Sequence, residues 1–254
     1  MTAMTTSQPL LEARDVRKVY GGFAAVGGVD MVVHRATVHA LIGPNGAGKT
    51  TFFRLLTGEA KPTSGRILLD GADISGRPPH IIARRGMTQT FQITSLFRRL
   101  TSLESVQLAM LAAAGRTGRL WGRAAAAYRE AALALLDSVG LADFALAQSG
   151  ALSHGDQRAL EIALALATGP RLLLMDEPTA GMSPPETQRI VQLVSGLVRR
   201  DGLTVVLSEH DVDVVFGVSD TVTVLHQGQV IASGDPAAVR SDARVSTVYL
   251  GEGS

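Results

Sequence analysis

The sequence predicts an α/β protein: a mostly parallel sheet with helices on its faces, an antiparallel β region ahead of it, and a helical lobe inserted between. Three observations point there. Short β-favouring runs with Gly pairs and turns fill Leu10 to Ile42. An Ala-, Leu- and Arg-rich stretch, Thr101 to Gly140, carries helical character. After Gly150, helical and strand patterns alternate, which implies parallel strands joined by helical crossovers.

In chain order, Leu10–Val16, Ala24–Val33, Thr37–Ile42 and Arg66–Leu69 read as strands, the last stopped by Asp70-Gly71. The run ending at Ile42 feeds a Gly-rich turn and a helix from Gly48 that ends by Gly58. In the Thr101–Gly140 stretch, Gly115 to Gly122 divides two helices. Then come a helix (Gly155–Thr168), a strand (Arg171–Met175), a helix (Pro185–Arg200), a strand (Thr204–Ser208), a helix (Val212–Val218) and two short strands (Thr221–His226, Gln229–Ser233). One domain over residues 10–254 is expected, with the lobe at about 93–150 inside it and a loose tail at 1–9.

Bulk properties narrow the function classes. The 254 residues carry a net charge of +1 and no Lys/Arg-rich run, so no nucleic-acid partner is expected. Without cysteine, thiol catalysis, thiolate metal sites and disulfides are excluded for this chain. Apolar stretches such as Ala159 to Ala167 are far shorter than the roughly 20 residues of a spanning helix. The start, Met1 to Pro9, does not read as a signal peptide, so a cytoplasmic location is expected.

Gly43-Pro44-Asn45-Gly46-Ala47-Gly48-Lys49-Thr50 fits GxxxxGK[ST], with Thr51 following. Its glycines let successive backbone N–H groups turn toward phosphate oxygens, and the helix behind presents its positive end to the same anion. Lys49 supplies charge for the β and γ phosphates, and the Thr50 hydroxyl suits Mg²⁺. Downstream, Leu172-Leu173-Leu174-Met175 ends in Asp176-Glu177. A parallel strand delivers its C-terminal residues to the ligand crevice. Asp176 is therefore the candidate Mg²⁺ ligand and Glu177 the group that polarises the attacking water. Neither the guanine-reading NKxD nor the kinase H-R-D is present.

Between these elements lies Leu152-Ser153-His154-Gly155-Asp156-Gln157, and here the chain resembles the ABC ATPases, whose signature is LSGGQ. Ser153 and Gly155 match; His154 and Asp156 replace Gly and Gln. The resemblance implies a RecA-like P-loop NTPase core, and a signature loop that reaches the γ-phosphate of ATP held by a second subunit. It further implies that Tyr20 stacks on adenine, that Gln92 senses Mg²⁺ and water, and that His210 contacts the γ-phosphate and orients Glu177. Ser183, in Ala180-Gly181-Met182-Ser183, stands where many relatives carry Asp.

Thr88 to Phe97, the signature, Ala180 to Ser183 and Val248-Tyr249-Leu250-Gly251-Glu252 resemble the ATPases of bacterial hydrophobic-amino-acid importers, a group that includes branched-chain amino-acid and urea systems. That resemblance implies ATP and Mg²⁺ as cofactors and a second ABC ATPase, identical or paralogous, as partner. Integral-membrane permeases would dock near Ile93 to Leu103, and a periplasmic or extracellular binding protein would act through them. The chain would lie peripherally on the cytoplasmic face of the membrane. Branched-chain amino acids lead the substrates it implies, with urea, amides and aromatic acids as alternatives. A DNA-repair ATPase would need a long coiled coil between P-loop and signature, where only about 100 residues stand. A ribosome-associated factor usually holds two tandem units, and a non-hydrolysing regulator would not need Glu177 and His210.

Overall fold

The computed structural model describes residues 8–90, 98–115 and 126–250. An antiparallel sheet in the order β2-β1-β4-β5 joins β1 (Leu11–Tyr20), β2 (Phe23–Val33), β4 (Ser64–Leu69) and the two-residue β5 (Ala72–Asp73). A second sheet runs β10-β9-β3-β8-β7-β6. It contains β3 (Val38–Ile42), β6 (Met87–Gln89), β7 (Leu172–Asp176), β8 (Thr204–Ser208), β9 (Thr221–His226) and β10 (Gln229–Gly234). It is parallel except for the β9–β10 hairpin.

The central strands read as unbroken apolar runs because both faces of this sheet are covered. In β7, Leu172 and Leu174 enter one core while Leu173 and Met175 enter the other. In β8, Val206 and the pair Val205 and Leu207 divide the same way. The first core lies between the two sheets and is filled by helix α1 (Lys49–Leu56), whose Phe52, Phe53, Leu55 and Leu56 are fully buried. The second core lies under α5 (His154–Leu166) and α6 (Pro184–Asp201), and α3 (Ser102–Ala113) and α4 (Arg129–Ser138) extend it. Thr101 and Glu104 form a reciprocal capping box that starts α3.

Several elements differ from the sequence expectations. β1 and β2 form a longer hairpin than Leu10–Val16 and Ala24–Val33 predicted, because bulges let the exposed outer half continue pairing to Tyr20 and Phe23. Helix α2 (Pro79–Arg84) and β6 were not anticipated. Neither were α8 (Pro236–Arg240) and α9 (Ala243–Leu250), which follow α7 (Val212–Val218) and the β9–β10 hairpin. The break foreseen between Gly115 and Gly122 falls largely outside the described residues, as do Ile93 to Phe97 of the stretch expected to meet a permease.

One buried polar group links this architecture to pH. His39, in the middle of β3, is 2% exposed and bonds Thr223 Oγ1 on β9 at 2.8 Å. Burial, aided by the nearby His34, pulls its pKa down to about 4. An unfolded histidine titrates near about 6.5, so between those values the unfolded chain binds the extra proton. Stability is therefore complete above about pH 6.5 and is lost progressively toward pH 4, by up to about 3 kcal/mol. Urea midpoints between pH 4.5 and 7 should show this slope, and His39→Gln should flatten it. An equal slope in the variant would assign the acid sensitivity elsewhere.

Candidate functional site

The turn between β3 and α1 is shaped by glycines that approach other backbone closely. A Cβ on Gly43 would stand 2.1 Å from Leu225 O, and one on Gly48, at φ 103°, 2.5 Å from Ala25 O. Only glycine allows the loop to lie against β9 and β2 in this way. Around the loop is a cavity of about 310 Å³ lined by Phe23, Ala25, Pro44 to Thr51 and Glu177. The motif thus forms the concave wall, and α1 points its N-terminus into it.

Lys49 is 7% exposed and donates to the carbonyls of Gly43 and Pro44. Burial lowers its pKa, opposed by the charges of Glu177 and then Asp176. Those carboxylates belong to the end of β7, so the strand brings both to the phosphate loop. Asp176 accepts from the Ser208 hydroxyl of the neighbouring β8, and Glu177 N–H donates to Ser208 Oγ at 3.1 Å. Glu177 adopts φ 45°, a left-handed conformation that an ordinary side chain rarely takes.

That backbone is held from behind by a residue the sequence reading passed over. Arg158 on α5 donates from Nη2 to Glu177 O at 3.1 Å and from Nε to Pro178 O at 3.0 Å. Its Nη1 pairs with Glu161 Oε2 at 2.7 Å, and both side chains are buried. Burial raises the Glu161 pKa against the opposing effect of Arg158. The helix that begins at the signature thus grips the backbone of Glu177 and Pro178, the two residues that follow the acidic strand.

The signature itself is tied to α6. Ser153 caps α5: its Oγ accepts Asp156 N–H at 3.2 Å and donates to Asp156 Oδ2 at 2.6 Å. Asp156 is buried and turned toward Arg189 of α6, whose Nη1 lies 2.6 Å from Oδ1. Arg189 also donates to Gly140 O at 3.1 Å. Gly155 N–H donates to Glu186 Oε1 at 3.2 Å, and Glu186 with Ser183 forms the capping box that starts α6. Two of the three departures from the family pattern, Asp156 and Ser183, therefore lie where the signature meets α6, each bonded to a residue that also ties α6 to the signature or to the lobe.

The remaining candidates are placed unevenly. His210 follows β8 with its side chain 63% exposed and Nδ1 4.0 Å from Glu177 Oε1. Thr50 and Thr51 line the cavity. Gln92 lies outside the described residues. Tyr20 is on the β1–β2 hairpin, exposed, with the Lys18 ammonium 4.7 Å from its ring centre. The aromatic that lines the cavity is Phe23, across the hairpin and 70% exposed. Phe23 was missed because it sits just past a Gly pair and has no motif of its own; its register opposite Tyr20 appears only once the hairpin pairs. The Thr50 hydroxyl and the Asp176 carboxylate are both oxygen donors, and such donors suit a hard cation such as Mg²⁺, which commonly takes one or two protein oxygens together with phosphates.

Comparison with known proteins shows the family to which the chain belongs. Residues 26–180 match the model of the ABC transporter family. Residues 229–254 match that of the branched-chain amino acid ATP-binding cassette transporter. The chain is 41% identical to the high-affinity branched-chain amino acid transport ATP-binding protein BraF of Pseudomonas aeruginosa, over 97% of this chain and 99% of that one. It is 40% identical to LivG of Escherichia coli K12, described in the same words, over the same shares. Among solved structures, the ADP conformation of MJ1267, an ATP-binding cassette of an ABC transporter, superposes with a TM-score of 0.86 at 30% identity, covering 96% of this chain and 100% of that one. A dimeric structure of the ABC cassette MJ0796 superposes with a TM-score of 0.74 at 28% identity, covering 89% and 98%.

Proposed function

Because this chain belongs to the ABC transporter ATP-binding family, we propose that it is the ATP-hydrolysing subunit of an importer, acting as one half of a head-to-tail pair around two nucleotides. The observation that carries this reading is the delivery of Glu177 by β7 into the cavity walled by the phosphate loop. A glycine-rich turn alone would bind an anion; an acid at its far wall adds the means to use water. No described helix is long and apolar enough to cross a membrane, so transport requires permease partners, and the chain would sit peripherally at the cytoplasmic face.

In this mechanism, the backbone N–H groups of residues 43–50 and the Lys49 ammonium hold the β and γ phosphates. Thr50 and Asp176 would hold Mg²⁺, which when bound would neutralise phosphate charge. The family resemblance adds Gln92, which lies outside the described residues, as the group that would sense Mg²⁺ and water. Phe23 or Tyr20 offers the hairpin aromatic for the base. Glu177 accepts a proton as water attacks the γ-phosphorus, the bond to the bridging oxygen breaks, and ADP and phosphate form. His210 holds the γ-phosphate from the other side. The second nucleotide contact comes from Ser153 and Gly155 of the partner subunit, which is why one copy is incomplete.

The substrate assignment rests on the C-terminal family match and on relatives named for branched-chain amino acids. Deleting the gene should abolish energised leucine, isoleucine and valine uptake, restored by the wild-type chain and not by Lys49→Ala. Loss of urea, amide or aromatic-acid uptake with branched-chain uptake intact would replace the substrate while leaving the ATPase reading in place.

A further inference from the structure

Glu209 stands between Ser208, which holds Asp176, and His210, yet none of the site chemistry above uses it. It is 0% exposed. Its Oε1 accepts from Thr179 N–H at 2.9 Å and from Thr179 Oγ1 at 2.7 Å. Its Oε2 accepts no hydrogen bond from the described residues, although it is fully enclosed. A buried carboxylate oxygen without a donor is costly, and native proteins seldom keep one without a use.

The donor within reach is the next residue. His210 Nδ1 lies 4.0 Å from Glu209 Oε2, and the same nitrogen lies 4.0 Å from Glu177 Oε1. A ring displacement of about 1 Å brings Nδ1 into hydrogen-bond range of one carboxylate. Glu209 is anchored by two bonds from Thr179 and cannot travel, whereas the Glu177 side chain is 43% exposed. The fixed, fully enclosed acceptor is the better partner: it has no water to exchange for the new bond.

We infer that Glu209 is a positioning residue for His210: its Oε2 accepts Nδ1–H as the site closes on ATP, turning Nε2 toward the γ-phosphate. With Nδ1–H so held, Nε2 donates to the phosphate once the ring takes up a second proton and becomes imidazolium, a cation between two anions. Glu177 is thereby left to the attacking water instead of being captured by the imidazole. Thr179 transmits the same restraint to the loop that follows Glu177. A carboxylate that fixes a functional imidazole by its second nitrogen is a recurrent device in protein sites. The inference rests on the reading of Glu177 and His210 given above.

Glu209→Gln tests it, because the amide oxygen can still accept from Thr179 while the amide nitrogen cannot accept Nδ1–H. Steady-state hydrolysis by variants with the wild-type thermal midpoint should show kcat lower by about 10- to 100-fold, with KM for ATP within about twofold. In a His210→Ala background the same change should add nothing, since the residue it acts through is gone. If His210→Ala is inactive while Glu209→Gln keeps kcat within about twofold, Glu209 has no such role and the site reading survives. If His210→Ala itself hydrolyses normally, both fail. A second readout needs no substitution at 209. In the wild-type chain trapped with Mg-ADP-vanadate, the nitrogen NMR spectrum of His210 should show Nδ1 protonated and hydrogen-bonded, and an unprotonated Nδ1 would overturn the inference.

Discussion

Glu177→Gln protein should bind ATP as the wild type does and hydrolyse it about 10²–10⁴-fold more slowly, the usual contribution of a positioned general base. The side chains are nearly isosteric, and what holds the Glu177 backbone at φ 45° is external to the side chain: Arg158 on its carbonyl and Ser208 on its N–H. The substitution therefore removes a proton acceptor and little else. Part of the Lys49 environment changes too, since Glu177 is the first of the two carboxylates opposing its burial. Lys49 keeps its bonds to Gly43 and Pro44 carbonyls, so nucleotide affinity by calorimetry should be preserved. Lys49→Ala, in contrast, should weaken binding itself. Turnover of Glu177→Gln within about threefold of wild type would sink the assignment of Glu177 as base.

The parts of the site that could be read in the sequence are those where one short segment carries its own geometry. The phosphate loop is such a segment, because its glycines specify the close approach to β2 and β9. The acidic strand is another, because Leu172 to Met175 are apolar on both faces and only the C-terminal end is polar. α8 was legible in principle: Asp235 accepts from Ala237 and Ala238 N–H, and Pro236 opens the helix, an Asp-Pro start signal. Five residues are too few to show a helical period, so the signal had no run to support it. Arg158, Arg189, Glu186 and Glu209 were beyond reach for a different reason. Each is bonded to a residue more than a dozen positions away, Arg158 to Glu177, Arg189 to Asp156, Glu186 to Gly155 and Glu209 to Thr179, and a charged residue reads as a solvated one until the fold supplies that partner. The fold class itself, with its antiparallel sheet ahead of a parallel one, was legible because strand–helix alternation begins only after the first strands.

Ser153→Arg should abolish hydrolysis without unfolding the chain. Ser153 is exposed at the start of α5, so the larger side chain meets no core. What is lost locally is the cap onto Asp156 N–H, worth about 1 kcal/mol. What is lost functionally is the surface that would meet the partner's nucleotide: the hydroxyl is gone, and a guanidinium stands where a phosphate should approach. Asp156→Gln makes the complementary test at the neighbouring position. Asp156 faces Arg189 and Ser153, so it belongs to the support of α5 and not to the phosphate contact. Its loss should cost about 1 kcal/mol of stability, since the Arg189 side chain is 44% exposed and keeps Gly140 O. Hydrolysis should stay within about threefold, less than about 1 kcal/mol in the barrier. The two variants thus separate structural support from contact across the pair. In the Glu177→Gln background, light scattering with ATP should show dimer for Asp156→Gln and monomer for Ser153→Arg. A hundredfold fall in hydrolysis for Asp156→Gln would place that acid at the phosphate. Hydrolysis by Ser153→Arg at a rate independent of protein concentration would mean that one copy is catalytically complete, and the head-to-tail pair would have to be abandoned.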